Sequence, residues 1–219
     1  MRKALTIFGA LILLAGASYL LGWSSLLTVK NIVVVGALDT QGSLQIENMS
    51  DIHPGEKLAR LETRVVAGAL SKVSWVESSR VNRNWFNGKV TITVWPRIPI
   101  ARYTSSYIDK NGVEFSLPNI STAKIPVVET SDVEGLKFAA KLLTSLPTSM
   151  VSELQSLRTR GSSSATLSIL HRSLPLELAW GDDTETALKV QVYQALLALP
   201  ENSKISFMDV SAPHAPIVK

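Results

Sequence analysis

The sequence predicts an α+β protein with an N-terminal transmembrane helix, a small β-α-α-β-β domain and a larger mixed β domain with flanking helices. Three observations predict it. Residues 4–29 contain no charged residue, and prolines 96 and 99 interrupt the later pattern around Arg97. Between these points apolar residues recur at strand and helix spacings. We therefore expect a cytoplasmic tail at 1–3, a transmembrane helix at 4–27, and two domains at 28–96 and 97–219.

The uncharged run is long enough to cross a bilayer. A helix over its whole length would reach roughly 39 Å, against about 30 Å for the hydrocarbon core. Arg2 and Lys3 precede the run, so the positive-inside rule predicts a single-pass protein with its N-terminus inside and its body exported. Alternatively, Ala15-Gly16-Ala17 is typical of a signal-peptide cleavage site, and a cut there would release a soluble exported protein. Both interpretations export the body.

Composition excludes several kinds of chemistry. The 219 residues contain no cysteine, so neither a thiolate nucleophile nor a cysteine-based zinc site is available, and an exported body without disulfides favours a bacterial envelope. The net charge is +4. The basic residues are scattered, without a Lys/Arg run or interleaved aromatics, and we therefore expect no nucleic acid partner.

The first domain is predicted to place two helices on one face of a three-stranded sheet. Asn87-Gly88 is typical of a type I′ hairpin turn, which requires positive φ at both positions. Ser43 is the expected cap of the first helix. The predicted elements are a strand at 29–35, a helix at 43–49, a helix at 61–73, a strand at 75–83 and a strand at 90–94.

The second domain is predicted to mix strands with helices. Ser131 and Glu134 form a capping box for one helix, and Asp183 or Thr184 caps another before Pro200. The residues at 174, 176, 178 and 180 alternate strictly with other residues, so this strand should bury one face. The predicted elements are a strand at 98–103, a hairpin at 107–115, a strand at 125–128, helices at 131–146 and 151–157, strands at 165–170 and 174–180, a helix at 184–199 and a strand at 205–210.

No catalytic, metal or cofactor constellation is visible in the sequence. His53, His171 and His214 are the only histidines, and none has a metal-ligand spacing. Asp182-Asp183 could supply paired carboxylates for acid–base chemistry, but the following Thr184 favours a turn and helix cap. Three serines after Gly161 are typical of a loop rather than a nucleophile. We expect a protein that is not an enzyme and binds no cofactor.

The chain carries an ordered set of motif positions, which are Gly36, Trp75, Val76, Arg83, Arg97, Pro99, Asp109, Gly112, Gly181 and Lys189. Together these structural motif positions resemble the FtsQ/DivIB family of bacterial cell-division proteins, whose members combine a short tail, one membrane span, a POTRA domain and a β domain. One departure is Pro96, where the family often has Glu before the Arg-x-Pro segment, so a salt bridge from that position is absent.

The resemblance implies a non-enzymatic scaffold in the inner (plasma) membrane at the division septum. It would bind FtsB/DivIC-like and FtsL-like division proteins and link them to the septal peptidoglycan synthase complex. An exposed edge strand offers unpaired backbone groups to an added strand, and the last strand of the chain is our candidate edge. Its residues are Lys204, Ile205, Ser206, Phe207, Met208, Asp209, Val210 and Ser211.

Two other functions remain open at this point. A POTRA domain also suits envelope protein translocation or assembly, although such proteins usually carry several copies and a membrane barrel, whose ten-residue alternating strands are not evident here. An exported cell-wall hydrolase is disfavoured by the poor catalytic inventory.

Overall fold

The computed structural model describes residues 2–23, 27–117 and 125–219. The chain divides into two compact units, Met1–Pro96 and Arg97–Lys219. Met1 of the predicted tail and residues 24–26 of the predicted membrane span lie outside the described residues.

The chain begins with helix α1, Arg2–Trp23. Its described side chains are exposed, including Phe8, Leu13 and Tyr19. Among the described residues, no helix meets the combined length and hydropathy requirements for a membrane span.

The remainder of the first unit has the predicted β-α-α-β-β order and forms a three-stranded sheet in the order β1-β3-β2. Strand β1 pairs parallel with β3, and β2 pairs antiparallel with β3. The apolar faces of the helices cover the sheet through residues such as Ile46 and Leu70, which are fully buried. The elements are β1 Asn31–Val35, α2 Thr40–Ser50, α3 Thr63–Leu70, β2 Val76–Arg83 and β3 Lys89–Pro96.

Two local predictions for this unit are wrong. Helix α2 starts three residues earlier than expected, because Asp39 Oδ1 accepts a hydrogen bond from the Gly42 amide at 2.6 Å and acts as the cap in place of Ser43. The hairpin forms, but not with a type I′ turn. Only Gly88 has positive φ, and its amide donates to the Asn84 carbonyl at 3.0 Å across a longer loop.

The second unit is built on one nine-stranded mixed sheet in the order β12-β11-β10-β9-β8-β7-β4-β5-β6. Its core lies where α4 and α6 pack on the sheet. The elements are β4 Ala101–Tyr103, β5 Ser106–Ile108, β6 Glu114–Phe115, β7 Val127–Glu129, α4 Val133–Ser145, α5 Thr148–Glu153, β8 Leu154–Arg160, β9 Ser164–His171, β10 Leu174–Gly181, α6 Thr186–Ala198, a 3₁₀ turn Pro200–Asn202, β11 Phe207–Asp209 and β12 Ile217–Val218.

Strict alternation correctly predicts the buried face of β10 at Leu176, Leu178 and Trp180, but the prediction is wrong for Leu174, which is 45% exposed at the start of the strand. Residues 154–157 were expected to be helical but form the start of β8, because Leu154 and Leu157 bury one face by pairing with β9. Helix α4 is capped by the Asp132 carboxylate, which accepts from the Gly135 amide at 2.6 Å, and not by Ser131.

Three of the motif residues form one corner at the start of the second unit. Asp109 Oδ2 accepts from Arg97 Nη1 at 2.5 Å, and its Oδ1 accepts from the amides of Asn111 and Val113 at 2.8 and 2.9 Å. The Asp109 side chain is 4% exposed. Gly112 has φ +72, and a Cβ there would lie 2.8 Å from the Lys137 Cα, so only glycine fits this turn against α4.

Asp109→Ala should lower the free energy of unfolding of the second unit by about 3 kcal/mol or more, because the largely buried Arg97 guanidinium loses its carboxylate and two amides lose their acceptor. Hydrogen exchange along a urea series reads each unit separately and measures this change. The neighbouring exposed side chain provides the control: Asn111→Ala should change the value by no more than about 0.5 kcal/mol. Equal effects of the two substitutions would contradict the assignment.

Candidate partner-binding edge

The predicted edge strand is not at the edge of the sheet. Strand β11 lies between β10, with which it pairs parallel, and β12, with which it pairs antiparallel. The reason is the chain after Ser211: it turns through residues 212–215, where the Ala215 amide donates to the Ala212 carbonyl at 2.9 Å, and returns alongside β11. Among the described residues, β12 is the terminal strand at this end of the sheet, and β6 is the terminal strand at the other end.

Within the predicted edge segment, Lys204–Ser211, backbone groups on one side bond to β10. The Glu177 amide donates to the Ser206 carbonyl and the Val210 amide to the Ala179 carbonyl, both at 2.9 Å. The intervening groups face the returning chain: the amides and carbonyls of Phe207 and Lys219 bond reciprocally, at 3.2 and 3.0 Å. Both sides of β11 are therefore occupied.

The hydrogen-bonding pattern identifies which backbone groups remain available for an added strand. In an antiparallel pair, bonded and non-bonded residue pairs alternate. Since Phe207 and Lys219 form a bonded pair and Met208 lies opposite Val218, the Val218 N–H and C=O point away from β11. The Val218 side chain packs on the core, whereas Ile217 is 52% exposed. The edge thus offers an outward amide, an outward carbonyl and one apolar side chain.

A buried ammonium group supports the strands beneath this edge. Lys189 on α6 is fully buried, and its Nζ donates to the carbonyl oxygen and Oδ1 of Asp182 at 3.1 and 3.0 Å. The Nζ also lies 5.9 Å from the Trp180 ring centroid. Next to it, Gly181 has φ +75, and a Cβ at this position would lie 2.9 Å from the Ser211 Cβ. Lysine and glycine at these motif positions therefore let α6, β10 and the end of β11 pack closely.

Asp182 is the most electrostatically perturbed carboxylate of this region. Hydrogen bonds from the Thr184 hydroxyl, from Lys189 and from the Thr184 amide lower its pKa from 3.8 to about 2. Its side chain is nevertheless 45% exposed, so solvent screens much of the attraction. Asp182 forms part of the turn after β10 and accepts hydrogen bonds from the Lys189 ammonium group. Helix α6 begins after Glu185, so the prediction that Asp183 or Thr184 caps it is wrong.

Four of the remaining motif residues lie in the first unit, and the fifth, Pro99, lies just after it in the chain. Trp75 is buried and donates from Nε1 to Gln45 at 2.9 Å, and the neighbouring Val76 is buried at the start of β2. Arg83 donates from Nη1 to the carbonyls of Leu58 and Leu61. Gly36 follows β1 with φ +87, and half-buried Pro99 lies between β3 and β4.

The candidate catalytic groups are dispersed. Each histidine contacts one glutamate: His53 with Glu56, His171 with Glu153 and His214 with Glu185, at 3.2, 3.1 and 3.3 Å. Asp183 pairs with Lys141 and not with the groups around Asp182. Within the described ranges, no three acidic or histidine side chains are arranged to hold a metal ion.

Burial also affects Tyr193 on α6. Burial, with a smaller contribution from Glu153, raises its pKa to about 12. Its hydroxyl and the Trp180 Nε1 are buried without a hydrogen-bond partner in the described part of the chain.

The Asp182 interaction predicts a stability change at acid pH. The folded pKa lies below the unfolded value, so the carboxylate stabilises the fold above about pH 4, and this contribution is lost as the pH falls toward 2. In urea titrations, the difference in unfolding free energy between the parent chain and Asp182→Asn should shrink over that interval. A difference that stays constant from pH 6 to pH 2 (roughly the range that brackets both values) would contradict this role. Exposed Asp51→Asn is the control.

Comparisons with known proteins agree with this architecture. The family model described as "POTRA domain, FtsQ-type" matches residues 27–95. A relative named cell division protein FtsQ from Salinibacter ruber is 26% identical over 144 residues, covering 61% of this chain and 55% of that protein. FtsQ from Mycobacterium tuberculosis strain H37Rv is 24% identical over 218 residues, covering 93% of this chain and 64% of that protein.

A further relative of the same name, from Mycolicibacterium smegmatis, is 22% identical over 218 residues, covering 95% of this chain and 62% of that protein. The chain therefore spans between 55% and 64% of the length of these relatives. The FtsQ-type domain coincides with the three-stranded unit, and the mycobacterial matches continue through the nine-stranded one. The first unit therefore matches an FtsQ-type POTRA domain, and the chain as a whole is similar to bacterial cell-division proteins named FtsQ.

Proposed function

We propose that this protein is a non-enzymatic scaffold of the divisome that binds small coiled-coil division proteins, of the FtsB/DivIC and FtsL kinds, and connects them to septal peptidoglycan synthesis. The observation that carries the proposal is the open edge at β12. There the Val218 amide and carbonyl point away from the sheet beside the exposed Ile217 side chain. The similarity to relatives named cell division protein FtsQ supports the division role over POTRA-dependent protein translocation.

Strand addition at β12 would place a segment of the partner beside β12 as the tenth strand of the sheet. The main-chain bonds would supply affinity, and alternate side chains would supply specificity. Only two residues of β12 pair with β11, so an incoming segment has a short template and must also contact neighbouring surface. Ile217 provides apolar contact there, and Lys219, whose Nζ lies 5.7 Å from the Phe207 ring centroid, provides a charge.

We also propose that the chain is a single-pass protein of the inner (plasma) membrane, in the type II orientation, with its body on the extracytoplasmic side at the septum. The support is the uncharged run 4–29 after Arg2 and Lys3. Anchoring would confine the body near membrane-bound partners and raise their effective concentration.

Val218→Pro tests the edge directly. Proline removes the outward N–H and leaves the inward bonds of Phe207 and Lys219 in place. The affinity for the co-expressed FtsB- and FtsL-like partners should fall roughly tenfold or more, because a backbone bond is lost and the ring blocks the incoming carbonyl. Co-purification followed by a quantitative binding assay measures the effect.

Val218→Ala is the matched control, since it removes a similar amount of packing and keeps the N–H. It should retain most of the affinity. Unchanged binding of Val218→Pro, with the second unit still folded by hydrogen exchange, would exclude strand addition at this edge.

A further inference from the structure

Two aromatic side chains are exposed at the tip of the β2–β3 hairpin. Phe86 is 100% exposed and Trp85 is 41% exposed. The Arg83 guanidinium carbon lies 5.0 Å from the Trp85 ring centroid, while its Nη1 bonds to the carbonyls of Leu58 and Leu61. The arginine thus positions the indole on the rigid body of the unit.

Beyond Glu77, near the start of β2, the charged residues of the hairpin are all basic. No Asp or Glu occurs in the sequence between Glu77 and Asp109, whereas Arg80 and Lys89 lie on its two strands. The Lys30 stem packs beside the loop, 2.8 Å from where a Cβ on Gly88 would lie.

One acidic side chain lies at the base of the hairpin and another lies near its tip. Glu77 is the second residue of β2. Glu56 lies in the turn beside the start of β1, where its carbonyl accepts from the Val29 amide, and its carboxylate contacts His53 at 3.2 Å. The tip itself, from Arg83 to Lys89, presents aromatic and basic groups. This combination complements a surface that is negatively charged at the rim and apolar beneath it.

The tip lies at the end of the sheet where β1 begins. The Lys30 amide donates to the Gly88 carbonyl at 2.8 Å, and Asn31 pairs with Lys89. Thr28, whose carbonyl would lie 2.6 Å from a Cβ on Gly88, is five residues beyond Trp23, the last residue of α1. Even a fully extended chain permits at most roughly 18 Å between Trp23 and Thr28. An N-terminal segment held in a membrane would therefore keep this tip within reach of the lipid surface.

We propose that the hairpin tip is a second membrane contact, in which Trp85 and Phe86 enter the headgroup layer of an anionic bilayer while Lys30 and Lys89 lie against lipid phosphates. Indole rings favour this depth of a bilayer, and lysines near the surface are attracted to anionic lipid. The inference rests on the membrane placement in the proposed function. Its consequence is a fixed orientation of the first unit on the membrane.

The absence of cysteine from the chain makes a site-specific test possible. Phe86→Cys in the full-length chain, labelled with an environment-sensitive bimane, is reconstituted into vesicles of phosphatidylcholine and phosphatidylglycerol that contain nitroxide-labelled lipid. The matched control is Lys72→Cys, an exposed position before the start of β2. The eight residues of β2 separate it from the tip, a strand length of roughly 26 Å.

We expect blue-shifted, quenched emission at position 86 and neither effect at position 72. Lys89→Glu, or 1 M salt, at which the Debye length falls to about 3 Å, should weaken the shift at position 86. Equal signals at the two positions, in chains that remain bound to the vesicles, would overturn the membrane contact alone. An equal shift at position 86 in pure phosphatidylcholine would overturn the anionic assignment. Failure of the chain to associate with vesicles would overturn both this inference and the proposed membrane placement.

Discussion

The reciprocal hydrogen bonds between Phe207 and Lys219 fix the outer edge of the nine-stranded sheet. Because bonded pairs alternate along an antiparallel ladder, this one pair determines that Val218 presents its amide and carbonyl outward. A shift of one residue would instead direct the groups of Ile217 outward and exchange the exposed and core-packed side chains. The partner-binding geometry that we propose depends on this register.

The interior of the second unit contains charged groups that are costly to bury. The buried Lys189 ammonium group donates hydrogen bonds to the carbonyl and the carboxylate of Asp182, just after β10. At the start of the same unit, Asp109 satisfies Arg97 and two backbone amides. Buried charges persist only with such partners. These contacts give Arg97, Asp109 and Lys189 structural roles in the second unit.

The sequence predicted the order of elements more reliably than their ends or edges. Alternation of apolar residues with other residues predicted β10 and β3, because one face of each strand is more buried than the other. It misplaced the cap of α2, since Asp39 and Ser43 are equally suitable by type and only the path of the chain selects one. The candidate edge at β11 failed for a similar reason. The motif residues gave no signal that residues 217–219 return beside it, because a two-residue strand has no periodicity. Arg97 and Asp109 were both identified as motif positions, but the sequence did not predict the ion pair between them.

Backbone amide exchange at Val218, resolved by NMR with and without the small coiled-coil partners, tests the account most directly. Strand addition predicts that the Val218 amide exchanges rapidly in the free chain and becomes protected in the complex, while the Phe207 and Lys219 amides are protected in both. Protection that appears at another strand while Val218 continues to exchange rapidly would contradict docking at this edge.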